Sequence, residues 1–198
     1  MIYDPIIDYV SISVPIPLLL SNYAIHINEG TPFEVDRRVK RLVNLITSDH
    51  TWKESRNPGR FNRMFVSEKF GFTYMDGEKS AVSLVQISGK GCEYLRSKGW
   101  MKNVIQDWHD RVTRLDIAVD IKTDTRPEIF ARSRKEGRFT EDSHRDSISG
   151  STWYVGSTTS DRHARVYRYA DNHPRHDLLR VEYELHDEQA KRCAKVCV

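Results

Sequence analysis

Two short stretches, RLDIAVD at 114–120 and RVEYELH at 180–186, restrict what this chain can fold into more than any other feature of it. Read as strands, they send successive side chains to opposite faces. Asp116, Ala118 and Asp120 then share one face, with Leu115, Ile117 and Val119 on the other. Arg180, Glu182 and Glu184 likewise oppose Val181, Tyr183 and Leu185. The apolar row has to be covered and the charged row has to be neutralised or wet. A sheet made of such strands takes its helices on one side only.

The residues themselves leave the use of the charged row open. Two carboxylates and one small side chain suit a hard divalent cation with room for a ligand. An amphipathic strand with a wet face carries the same pattern. Like charges on neighbouring strands repel unless a cation or arginines neutralise them. A third stretch, RHARVYRYA at 162–170, bears on the choice. As a strand it puts Arg165, Tyr167 and Tyr169 on one face and Ala164, Val166 and Arg168 on the other. Such a row fits a base-stacking surface, a packed sheet face, or a tyrosine nucleophile beside an arginine that forks onto a phosphate. A free phenol ionises only near pH ~10, so the last role needs a polarised phosphodiester and neighbours that favour the phenolate.

The rest of the chain reads as elements around these strands. IDYVSISVPI (7–16) alternates and is halted by Pro15 and Pro17. Thr31 and Glu34 form a capping box, with Pro32 at the first helical position; Val35, Val39, Leu42, Val43 and Ile46 continue at helical spacing. WKESRNPGR reads as a polar loop. Residues 61–88 hold two or three strands with a turn at Asp76 and Gly77, and the glycines of GKGC end the last of them. EYLRSKGWMKNVIQDWHDRV is helical in two pieces broken at Gly99. Thr125 and Glu128 cap a further helix that runs to about Gly137, and TEDSHRDSISGS is a loop. TWYVGS, HARVYRYA and LRVEYELH are strands, and DEQAKRCAKVCV begins a helix. The sum is an α+β chain, predominantly an antiparallel central sheet with helices packed on one side. It reads as a single domain over 1–198. Because the sequence stops within a helix at Val198, a further C-terminal segment is expected.

Charge and cysteines narrow the setting. A formal net charge of +3 permits an anionic partner without requiring one. Basic residues cluster at Arg126, Arg132, Arg134, Lys135 and Arg138, and again at Arg162, His163, Arg165 and Arg168. The 3 cysteines, Cys92, Cys193 and Cys197, lack paired metal-ligand spacing and read as free thiols of a reducing compartment. The run IPLLL at 16–20 is too short to span a bilayer, and the acidic N-terminus does not read as a signal peptide. A cytoplasmic protein with no membrane partner is expected.

RLDIAVD, then TWYVGSTTSDRHARVYRYA, then LLRVEYELHDEQAK, preceded by IDYVSISVP and VQISGKGCEYL, resembles the replication initiation factor family. That family comprises rolling-circle initiators of Gram-positive plasmids, related relaxases of conjugative elements and initiators of filamentous phages. The resemblance runs over nearly the whole chain, with its motifs in order. It implies an HUH-endonuclease or RRM-like core and an enzyme that nicks and rejoins a DNA strand. By that resemblance Tyr167 attacks the scissile phosphate, forming a 5′-phosphotyrosine and releasing a 3′-hydroxyl primer, with Arg165 beside it. Asp116, Asp120, Glu182 and Glu184 match acidic positions that imply a Mg²⁺ or Mn²⁺ ion, and Asp8 matches a further acidic position.

Two departures from the family pattern stand out. Tyr169 occupies the place of a lysine, which makes it a second candidate nucleophile. No His-hydrophobe-His triplet is present; His173 and His176 lie three apart in HPRH, which reads as a polar loop. The expected partner is single-stranded or hairpin origin DNA, held by Lys90, Arg132, Arg134, Lys135, Arg138, Arg162 and Arg168. A host helicase and a homodimer are further expected partners. Two other functions fit the residues: a non-catalytic nucleic-acid-binding module whose Tyr154, Tyr167 and Tyr169 stack bases, and a metal-dependent nuclease in which water attacks.

Overall fold

The alternating stretches do become strands, and their apolar rows set the architecture. The structure, a computed structural model, describes residues 1–14, 18–21, 24–27, 42, 45, 52–55, 61, 63–75, 82–127, 129, 145–147, 150–157, 160–169 and 174–197, with backbone alone at 18–21, 24–27, 145–147 and 150–151. The strands are β1 (Ile6–Val14), β2 (Leu18–Ser21), β3 (Ala24–Ile27), β4 (Lys53–Ser55), β5 (Met64–Ser67), β6 (Phe72–Met75), β7 (Ser83–Ile87), β8 (Val112–Lys122), β9 (Arg145–Ser147), β10 (Gly150–Val155), β11 (Arg162–Arg168) and β12 (Leu178–His186). The helices are α1 (Gly89–Ser97), α2 (Met101–Trp108) and α3 (Asp187–Val196). Ten strands form one sheet in the order β4-β5-β6-β7-β1-β8-β12-β11-β10-β9, while β2 and β3 pair apart from it. Each neighbouring pair is antiparallel.

The last strand, β12, is inserted between β8 and β11. Tyr183 lies opposite Ile117 on one side and Ala164 on the other, and Val181 opposite Val119 and Val166. Those residues make the apolar row. Helices cover it where it continues into β1: Val10, Ile12 and Leu115 are fully buried with Cys92, Leu95, Ala190 and Ala194, and Ile105 and Trp108 are almost so. Burying such side chains is worth ~1.5–3 kcal/mol each, so this face supplies most of the drive to fold. A smaller cluster of Val166, Leu179 and Val181, with Ile121, Trp153 and Val155 against it, continues the row towards the far edge.

Three local expectations change. Lys53–Ser55, within the stretch read as a polar loop, is the edge strand β4, paired with Met64–Val66. Arg145–Ser147, also read as loop, is the opposite edge strand β9, paired with residues 150–152. Edge strands dispense with an apolar row, so periodicity does not reveal them. The GKGC glycines do not end β7; they open α1. Their lack of a side chain is needed because the turn before β6 presses on the helix. A Cβ on Gly91 would lie 2.8 Å from the Gly71 carbonyl oxygen, and one on Gly71, which has φ +72°, would lie 2.4 Å from Ser88 Oγ. The break at Gly99 is as read: φ is +70°, and its N–H closes onto the Arg96 carbonyl.

Of the helix read from 31 to 46, only Leu42 and Leu45 are described. Both are helical, with Leu42 buried and Leu45 packed on the core. The turn at Asp76 and Gly77, and nearly all of the helix read to Gly137, lie outside the described residues. No helix among the described residues is long and apolar enough to cross a membrane.

Candidate active site

The other face of the same strands carries the charge, and the register decides who meets whom. Across β8, β12 and β11, Asp120, Arg180 and Tyr167 form one row; Ala118, Glu182 and Arg165 the next; Asp116, Glu184 and His163 the third. Asp116, Asp120, Glu182, Glu184, Arg165 and Tyr167, expected on one face, are on one face.

These rows resolve into two groups. In the first, Arg180 donates a two-pronged pair of hydrogen bonds to Asp120 (2.7 and 2.8 Å) and reaches Asp8 at 3.1 Å. Asp8 comes within reach because β1 shifts register between Ile7 and Tyr9. Arg175 adds a contact to Asp120 at 3.5 Å. Two carboxylates thus meet two guanidinium groups. Burial works against the charge on Arg180, and its bond to Asp120 and the charge of Asp8 more than offset that, so its pKa is raised.

In the second group three carboxylates share two guanidinium groups. Arg114 forks onto Asp116 (2.9 and 2.7 Å) and touches Glu184 at 2.7 Å. Arg165 lies between Asp116 (3.1 Å) and Glu182, with Glu184 at 3.9 Å. The Tyr167 hydroxyl donates to Glu182 at 3.2 Å. Burial pushes the Glu182 carboxyl up to about 7, against the pull of Arg165, and the Asp116 charge adds to the rise. Burial also raises Tyr167, and the Glu182 charge raises it further. The phenol is thus held next to a carboxyl group that gains and loses its proton near neutrality. Arg165 keeps one buried donor, Nε–H, without a partner among the described residues, whereas buried donors are almost always paired.

Tyr169 lies beside Tyr167, ring edge to face at 5.6 Å, with the Arg180 guanidinium 5.2 Å from its ring centre. Its ring is half-buried. Val166 is buried in the apolar row. Among the expected DNA contacts, Arg162 is exposed on β11. Arg168 is committed to structure, donating to the carbonyls of Thr123, Thr125 and Asp177. Lys90 sits in the helical layer and donates to the Glu68 carbonyl. Arg132, Arg134, Lys135 and Arg138 lie outside the described residues.

Three members of the charged face escape the motif reading: Arg114, His163 and His186. Alternation alone could have found them, since Arg114 is two residues before Asp116, His163 two before Arg165, and His186 two after Glu184. His186 Nε2 lies 2.8 Å from one Glu184 oxygen and His163 Nε2 3.5 Å from the other. His186 ends β12 at a sharp entry into α3, where Asp187 takes φ +46°. Of the HPRH pair, His176 is exposed in a turn, as read, and His173 lies outside the described residues.

No family model and no curated protein sequence matches this chain. A solved structure does: the rolling circle replication initiator protein from Geobacillus stearothermophilus, with a TM-score of 0.63 at 18% identity, covering 99% of this chain and 78% of that one. At that identity the likeness establishes the fold, a large antiparallel sheet with helices, and it is the fold the sequence resemblance implies.

Proposed function

We propose that this protein initiates rolling-circle DNA replication by cutting and rejoining one DNA strand through Tyr167. The observation that carries the reading is the Tyr167 hydroxyl donating to Glu182 beside Arg165. The chemistry balances without a nucleotide cofactor. As the Tyr167 oxygen bonds to phosphorus, its proton passes to Glu182 and the P–O3′ bond breaks. The 3′-oxygen leaves as a hydroxyl after taking a proton from solvent, and the 5′-phosphate stays on the tyrosine. Reversal with a different 3′-hydroxyl rejoins the strand. Arg165, with its unpaired Nε–H, is placed to hold a phosphate oxygen.

The origin strand, single or at a hairpin tip, would cross this face. The basic residues at 132, 134, 135 and 138 would hold its backbone, with Lys90 and Arg162, which lies on the opposite face as register partner of Leu185, at the periphery. A cytoplasmic setting, a host helicase and a second copy of the chain belong to the same reading.

A divalent ion would polarise the scissile phosphate and offset its charge. The expected all-carboxylate cage does not fit. Asp116 is gripped by Arg114 and Arg165, and Asp8 and Asp120 by Arg180. No step above runs through a metal.

The test is a denaturing gel of labelled single-stranded DNA carrying the element's origin hairpin, incubated with the protein and Mn²⁺. A detergent-resistant protein–DNA adduct, lost in Tyr167→Phe and kept in Tyr169→Phe, is the expected result. Cleavage without an adduct would transfer the attack to water. Binding of that DNA without cleavage would leave only a binding module.

A further inference from the structure

His163, Glu184 and His186 converge at the end of the charged face. Their strands bring them together: His163 on β11 is the register partner of Glu184 on β12, and His186 lies two residues further along the same face. One donor atom from each falls within 4.8 Å of the other two. Ligands bound at ~2.1 Å in a tetrahedral site lie ~3.4 Å apart, so side-chain shifts of about an ångström would close the set. The imidazoles are nearly parallel, at 21°, with centroids 6.3 Å apart.

Two further observations point to a missing cation. The His163 side chain is only 6% exposed. The nitrogen it turns towards the cluster, Nε2, lies 3.5 Å from Glu184, too far for a good hydrogen bond. A buried ring so poorly satisfied is costly unless something binds it. Secondly, the three carboxyl groups of Asp116, Glu182 and Glu184 share only two guanidinium groups, those of Arg114 and Arg165. Arg114 occupies one oxygen of Glu184, leaving the other, Oε1, facing His186.

We propose that His163, Glu184 and His186 form a binding site for a first-row transition cation such as Mn²⁺, Co²⁺ or Zn²⁺, and that Mg²⁺ binds there poorly. Two imidazoles with one carboxylate suit those ions, whereas Mg²⁺ prefers oxygen donors and retained water. Three protein ligands leave coordination positions open, as in reactive and not structural metal sites. The site stands whether or not the protein cuts DNA.

The experiment uses the whole chain, stripped of metal and without DNA. Co²⁺ is titrated while its visible absorption is followed, and Mn²⁺ binding is measured by calorimetry. One ion per chain is expected, with affinity falling about 100-fold or more in His163→Ala and in His186→Gln. His109→Ala and His176→Ala, which alter exposed histidines elsewhere, should leave it unchanged. Circular dichroism confirms folding of each variant; His186 is at the surface end of its strand, so its variant keeps the test valid if His163→Ala does not fold. Unchanged affinity in His186→Gln, no Co²⁺ binding, loss of binding only in Asp120→Asn, or equal competition by Mg²⁺ would each overturn the proposal.

Discussion

The two charged groups on the sheet face are written almost identically in the sequence, yet they are electrostatically different objects. Around Arg180, two carboxylates are matched by Arg180 and Arg175. Around Arg165, three carboxylates share two guanidinium groups and also hold the Tyr167 hydroxyl. The first group is neutral by its own means and holds β1, β8 and β12 together. The second carries an unpaid negative charge, which a proton on Glu182, a metal ion or a substrate-bound cation can relieve. The first ties strands together, and the chemistry proposed above draws on the second.

The largest effect that would test this contrast is Arg180→Met. It leaves Asp8 without its counter-charge and Asp120 with only the distant Arg175. Removing one partner of a buried pair costs about 3–5 kcal/mol, and at ~2–4 °C per kcal/mol for a chain of this size the melting temperature should drop by roughly 6–20 °C in a thermal scan. Glu182→Gln should behave oppositely. Relieving one surplus charge should leave the melting temperature unchanged or slightly higher, while adduct formation falls by about 10²–10⁴-fold. Equal melting losses in the two variants would erase the distinction.

A smaller and sharper effect lies in pH. Folded Glu182 keeps its proton up to about 7, whereas its ordinary value is 4.5. Between those values the folded chain binds more protons than the unfolded one, so this group's contribution to stability falls as pH rises from 4.5 to about 7 and is constant above. The ionised carboxylate is the base, so the rate of adduct formation should rise through the same range and level off. The Glu182 contribution to stability and the activity should therefore move in opposite directions with pH, and the difference between the native chain and Glu182→Gln isolates both. Rates and melting temperatures measured from pH 5 to 8 settle it.

Much of this was legible in the sequence because alternation is a one-dimensional signal. That Val166 is buried while Arg165 and Tyr167 share the opposite face follows from parity alone, as does the company of Asp116 with Asp120. Which carboxylate meets which arginine does not follow. Arg165 reaches Asp116 only because β12 separates their strands by a single place, and the β8–β12 pairing joins segments some sixty residues apart. Asp8 reaches Arg180 through a register shift in β1 that no residue pattern announces. The histidines are hidden for a different reason: His163 and His186 stand on different strands, so no His-hydrophobe-His spacing announces them.

The place of β12 in the sheet also sets an order of events during synthesis. Residues 112–122 are synthesised well before 178–186 and residues 162–168 just before them, and until β12 arrives, β8 and β11 have no strand between them to bridge. The nascent chain therefore carries Tyr167 before it has Glu182, the base, or Arg180, the clamp. A chain that stops short of Leu178 would expose two unpaired strand edges and own a nucleophile that nothing activates. On the mechanism proposed above, Tyr167 gains its base only when β12 joins the sheet, so a product interrupted before it would lack the group that activates the nucleophile.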